Sequence, residues 1–280
     1  MSDLTGSALA AWPGGASCAL ALTFDFDAEE LWLGNNPAYA EDPGVMSLGR
    51  YGARVGVPKI LELLASEELP ATFFVPGAVA ERYPAHLHAI LEAGHEVAHH
   101  GYHHIPADPT VPGLVEEQID RGLEALDRIA GITPVGYRAP DGVSSDLGLR
   151  TLTDRGFLYD SSLRGHFLPY RIRLADGAPG PIEIPEQPTL DDWAYGSTSP
   201  VAYIVIQSKD QVLSIWQDEF RELRSWGGSI TLVMHPQITG RPMRLATLRE
   251  FIAFTRTFDD VWYATCADIA RHFAATEPPD

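Results

Sequence analysis

Cysteine, basic side chains and long apolar runs are all scarce in this chain. Only Cys18 and Cys266 are present among 280 residues, with no CxxC spacing, so no disulfide framework is expected and a reducing compartment suits them. No apolar run approaches the roughly 18 residues of a membrane span. The opening MSDLTGSALAAWPGG has no basic segment followed by a hydrophobic core, and the expectation is a soluble, cytoplasmic protein without a membrane partner. Twenty basic against 38 acidic side chains give a formal charge of −18, which repels phosphate backbones and excludes nucleic acid as a partner. GxSxG and GxGxxG are missing too, so nothing points to a serine nucleophile or a nucleotide.

What is present is an alternation. Short β-rich runs, CALALTFDF (18 to 26), ATFFV (71 to 75), EVAHH (96 to 100), VGYRA (135 to 139), GFLYDS (156 to 161), PIEIP (181 to 185), SITLVMH (229 to 235) and VWYAT (261 to 265), are separated by stretches of helical period. PKILELLASEEL, VEEQIDRGLEALDRIAG and SKDQVLSIWQDEFRELRSWGG are the clearest of these. Repeated βα units predict parallel strands covered by helices. Several strands end in a residue of catalytic type, namely Asp25 and Asp27, His100, Arg138, Asp160 and His235. A βα barrel gathers strand ends from distant parts of the chain on one face, so this regularity favours a barrel over an open sheet. The expected organisation is one catalytic domain over 1–280, with arms at 1–17 and 275–280 and a proline- and glycine-rich ordered loop at 164–200 around one short strand.

Five of ten histidines fall within GHEVAHHGYHH, residues 94 to 104. His100 and His104 are four apart, and a helical turn or a tight loop can bring both rings onto one divalent ion. On a regular strand Asp25 and Asp27 share a face, about 7 Å apart. One carboxylate and two imidazoles leave coordination positions open for water and substrate.

TFDFD, GHEVAHHGYHH, YRAPDG and LVMHP, in that order across about 20 to 236, resemble the polysaccharide deacetylase superfamily, the NodB-homology or carbohydrate esterase family four type. TFDFDAEE, GFLYDSSL, DDW and LVMHPQITGRPMR are most similar to the branch holding cytoplasmic peptidoglycan-deacetylase-like proteins, cyclic imide hydrolases and relatives of a metal-free allantoinase. The resemblance implies an α/β fold, a distorted (β/α) barrel of about seven strands. It also implies roles: Asp25 the general base, Asp27, His100 and His104 the metal ligands, Arg138 the group that orients the base, and His235 the acid that protonates the departing nitrogen. His95, His99 and His103 are then structural neighbours, and a fork-shaped guanidinium can hold a carboxylate by paired bonds. Asp160, Asp191 and Asp192 are the candidates to hold His235, and Asp141, Asp160, Asp192 and Trp193 are candidate pocket residues.

The function so implied is metal-dependent hydrolysis of a non-peptide amide bond, with zinc the first expectation and cobalt, nickel, iron or manganese compatible with the same donors. The substrate is expected to be an N-acetylated sugar. A cyclic imide or another small cytoplasmic amide is the alternative, favoured by Asp141 standing where many sugar-active relatives have an aromatic residue. A non-catalytic small-molecule or glycan-binding barrel is a second alternative. Similarity to this branch further implies a homo-oligomer, such as a tetramer.

Overall fold

The computed structural model describes residues 12–106, 108–196, 198–199, 202–203 and 205–277. Its strands are β1 (Cys18–Asp25), β2 (Thr72–Val75), β3 (Glu96–His99), β4 (Gly136–Tyr137), β5 (Tyr159–Asp160), β6 (Tyr170–Arg173), β7 (Pro179–Glu183), β8 (Thr198–Ser199), β9 (Ala202–Tyr203), β10 (Ser229–Met234) and β11 (Val261–Tyr263). All eight expected strands are there, each trimmed at one or both ends.

The main sheet runs β10-β1-β2-β3-β4-β5-β7 with every neighbouring pair parallel. These seven strands form an incomplete (β/α) barrel. β11 pairs with the start of β1, β6 adds antiparallel to β7, and β8 and β9 form a separate hairpin. The gap between β7 and β10 is spanned by irregular chain: Asp191 pairs with Val233, and the Phe167 carbonyl accepts from Ser229 N–H.

Strand alternation sorts the core into two layers. Ala19, Ala21, Phe74, Ala98, Tyr159 and Ile182 pack together and line the barrel interior. Leu20, Leu22, Phe24, Phe73, Val75 and Val97 face outward onto Ile60, Leu64, Phe220 and Phe251 of the surrounding helices. Three alanines keep the bore narrow, so the barrel is a filled core rather than a channel. Cys18 lies in the outer layer and Cys266 in the inner one, and both thiols are free.

The helices begin and end where their sequences predict. Val57–Glu67 carries Pro58 in its first turn, Leu114–Ala130 stops at Gly131 with φ of 65°, and Lys209–Ser225 is closed by a Ser208–Gln211 capping box. Two departures matter. The stretch 164–200 contains three strands, not one: Asp176 and Gly177, with φ of 85° at the glycine, turn β6 back onto β7, and β8 follows near its end. Helix Pro242–Thr255 escaped the periodicity reading, since Thr247 and Thr255 occupy buried positions that an apolar pattern would fill. Among the described residues no helix is long and apolar enough to cross a membrane.

Candidate active site

The inward parity of β1 places Thr23 and Asp25 in the barrel mouth, and Asp27 follows, fully buried. On β3 the same alternation divides neighbouring histidines. His99 points outward: its Nε2–H donates to the Ile119 carbonyl at 3.0 Å, and its Nδ1 accepts from Gly101 N–H at 3.1 Å. His100 points inward. Its Nδ1–H donates to the Arg138 carbonyl at 2.7 Å, which fixes the tautomer and leaves the Nε2 lone pair facing the mouth.

After His100 the chain makes a tight loop rather than a helical turn. Gly101 has φ of 71° and His104 has φ of 52°, and this sharp return brings the His104 ring to 5.0 Å from that of His100. Gly34 supports the loop from below, where any β-carbon would strike the carbonyls of His103 and His104. The result is a triangle: one donor atom each from Asp27, His100 and His104, all within 4.8 Å of one another. Asp27 Oδ1 is 3.4 Å from His100 Nε2 and 3.8 Å from His104 Nε2, is buried, and has no hydrogen-bond donor. Burial would raise the Asp27 pKa, but His104, His100 and His235 outweigh it and bring it down to about 2. An anionic oxygen that is buried without a donor, beside two imidazoles, is the donor set a divalent ion needs.

Arg138 is buried across the mouth from this triangle. Its Nη1 donates to Asp25 Oδ1 at 2.7 Å and to Thr23 Oγ1 at 2.9 Å, while Nε and Nη2 go to the Ser161 carbonyl and hydroxyl. The guanidinium therefore holds Asp25 by one bond, not by a paired fork, because its other donors anchor it to β5. Phe74 stacks beneath it at 4.0 Å. Asp25 Oδ2 stays unclaimed, 3.9 Å from His100 Nε2 and 4.0 Å from His235 Nε2.

His235 follows β10 and is buried. Its Nδ1–H donates to Asp192 Oδ1 at 2.7 Å, and Asp192 Oδ2 accepts from the His235 N–H and from Thr239 Oγ1. Burial opposes the imidazolium, but Asp192 and the other carboxylates hold the His235 pKa well above its ordinary value. Of the three candidate partners, then, Asp192 is the one in contact; Asp191 stands 3.9 Å off. Asp160 is elsewhere. With Tyr159 turned inward, alternation sends Asp160 outward, where it accepts from Ser162 Oγ and couples to Glu183. It does not line the mouth, a correction to its reading as a pocket residue.

A cavity of about 220 Å³ opens over these groups. Trp193 and Asp141 line it, as expected, and the Trp193 ring lies 5.7 Å from that of His235. Asp192 sits behind its wall. Arg164 and Glu186 line it unanticipated, as does Asp191, which the sequence offered only as a candidate partner of His235. Burial raises the Glu186 carboxyl to about 7, against the pull of Arg138 and of Arg164, its ion-pair partner. Arg164 and Glu186 follow no strand-end pattern, so only the LRG and PEQ segments could have pointed to them. Among the remaining histidines, His95 is buried against Phe73, and His103 donates to Glu30, itself paired with Arg82.

The polysaccharide deacetylase family model matches residues 46–159. A Helicobacter pylori peptidoglycan deacetylase is 29% identical, over 91% of this chain and 95% of that protein. A Mycobacterium smegmatis crystal structure described as a polysaccharide deacetylase is 40% identical, covers 99% of this chain and 97% of its own, and superposes with a TM-score of 0.93. The Puue allantoinase structure is 26% identical, covers 96% of this chain and 94% of its own, and gives 0.84.

Proposed function

The chain belongs to the polysaccharide deacetylase family and is a hydrolase of carbon–nitrogen bonds other than peptide bonds, and we propose that it deacylates N-acetylated sugars at a site built on one divalent ion. One observation carries the reading: the Asp27–His100–His104 triangle adjoins both the Asp25–Arg138 pair and the His235–Asp192 pair in a single mouth. When bound, the ion supplies Lewis acidity and a water of lowered pKa, and this donor set suits zinc. Asp25 takes the water's proton on Oδ2, since Oδ1 is occupied by Arg138. Thr23 and Ser161 keep Arg138, and through it Asp25, in place. His235 carries a proton on Nε2 for the departing nitrogen, with Asp192 fixing the ring through Nδ1. Trp193 and Asp141 flank the acyl group's approach.

A second reading, hydrolysis of a cyclic imide or another small amide, is favoured by the cavity itself. At about 220 Å³ it is smaller than the roughly 300–1,000 Å³ of ordinary small-molecule sites, and an acid, Asp141, stands at its rim. We further propose that residues 1–280 act as one catalytic unit in a cytoplasmic homo-oligomer, a setting that suits two free buried thiols. The decisive experiment is metal analysis of untreated protein followed by a substrate panel with Asp25→Asn as control. Acetate release from N-acetylglucosamine oligomers, lost on chelation and in the variant, is expected. Ring opening of succinimide without acetate release from any sugar would transfer the assignment to the second reading.

A further inference from the structure

A second cavity, of about 350 Å³, shares no lining residue with the reaction mouth. Its wall is apolar at Trp32, Ile238 and Met243 and polar at Gln237, Arg241 and Arg244. Two arginines and no carboxylate line it, in a chain with 38 acidic against 20 basic side chains. That inversion of charge is the first indication of an anionic occupant.

The second lies in the polar groups themselves. Arg244 is 3% exposed, yet among the described residues no acid pairs with it. Its Nη2 donates to the carbonyls of Tyr195 and Gln207 at 2.6 and 2.8 Å, and its buried Nη1 has no acceptor. Half-buried Arg241 gives Nε to the Gln237 carbonyl and lays its guanidinium 3.8 Å from the Tyr51 ring, and among the described residues no carboxylate pairs with it. Gln237 Oε1 and Trp32 Nε1 are also buried without partners. A buried guanidinium with no carboxylate in contact is unfavourable, and an anion held between Arg244 and the half-buried Arg241 relieves that penalty. The apolar part of the wall selects further, because a fully hydrated polyanion gains nothing from Trp32, Ile238 and Met243. A planar carboxylate on a short hydrocarbon or aromatic body satisfies both halves.

We propose that this cavity binds a small monocarboxylate, its carboxylate toward Arg241 and Arg244 and its apolar body against Trp32, Ile238 and Met243. The inference does not depend on which amide the enzyme cleaves. Isothermal titration calorimetry of the full chain tests it, with butyrate and benzoate as ligands and inorganic phosphate and butylamine as controls. Because a carboxylate also has affinity for a bound metal, each titration is run on metal-loaded and on chelated protein. Saturable binding of both carboxylates, present in each form and absent for the controls, is expected. The affinity should fall at least tenfold in Arg241→Gln, which keeps the buried Arg244 intact, and in Met243→Trp, which fills the space. Binding that disappears on chelation but survives both substitutions would put the carboxylate on the metal and overturn the proposal. Phosphate binding as tightly as benzoate, or no saturable heat from any carboxylate, would overturn it too. So would a change in oligomeric state in Met243→Trp without carboxylate binding to the parent protein, which would give the cavity to a second copy of the chain.

Discussion

The side chains of His103 and His104 are adjacent in sequence and opposite in consequence. His104 directs Nε2 at Asp27, whereas His103 reaches Glu30 at 2.9 Å near the surface. Substituting His104 with Ala is expected to remove stoichiometric metal, and His103→Gln to retain it; elemental analysis of both purified variants decides this. Asp25, Asp27, His100, Arg138 and His235 were legible as strand ends, where side-chain parity fixes direction, while the choice of His104 and the role of each residue came from the family resemblance. The partner of His235 was not legible. Asp192 reaches it only because an irregular segment pairs with β10 at Val233, a tertiary contact that leaves no local pattern. Asp160, by contrast, was misread: the structure turns Tyr159 inward and its neighbour outward, and the run GFLYDS does not announce which of the two faces the barrel. The Asp192–His235 pair carries its own prediction. Asp192→Asn removes the charge that holds the imidazole's pKa up, so kcat should fall by roughly 10²-fold or more and the alkaline limb of the rate profile should move to lower pH. An unchanged limb with a reduced kcat would reduce Asp192 to a packing role.

At the scale of an element, β3 and its loop show how one short segment serves both core and site. Burial lowers the pKa of His99 to about 3 from an ordinary 6.5, and its neutral ring is fully used, Nε2–H toward Ile119 and Nδ1 toward Gly101. Between those two values the unfolded chain takes up a proton that the folded chain refuses, so stability rises with pH across the window. It is complete above 6.5 and is lost as pH falls toward about 3, with a one-proton slope near 1.4 kcal/mol per pH unit. Denaturant melts of the wild type and of His99→Gln at several pH values test this: the variant should be less stable at neutral pH but lose that component of the slope. The loop has a second support in Gly34. A methyl group there would strike the His103 and His104 carbonyls, so Gly34→Ala should cost roughly 1–3 kcal/mol and weaken metal binding together. The existence of β3 was readable from EVAHH, but the αL turn at His104 was not, because nothing in a histidine's sequence context announces a positive φ.

For the whole molecule, the barrel was legible as a series of βα units, and its incompleteness was not. The gap between β7 and β10 is filled by segments with no β pattern, and Asp191, Asp192 and Trp193 come from that filling chain. The mouth is therefore assembled from both ends of the sequence, β1 and β10 lying side by side with Ala19 opposite Ser229 and Phe24 opposite Met234. A metal held by Asp27 on one segment and by His100 and His104 on another would link β1 to the β3 loop, and its binding would then contribute to folding stability as well as to catalysis. Without it, Asp27 Oδ1 remains a buried anion with no donor. Binding to the folded chain alone at a hundred times Kd adds roughly 2.7 kcal/mol, which for a chain of this size corresponds to a rise in Tm of roughly 5 °C. Chelation followed by dialysis should therefore lower Tm by that amount, and re-addition of zinc should restore Tm and hydrolytic activity in parallel. In Asp25→Asn the same titration should recover Tm but not activity, because Asp25 lies outside the donor triangle. If zinc raised Tm equally in His104→Ala, the stabilising ion would have to bind elsewhere, and the assignment of this triangle as the metal site would fail.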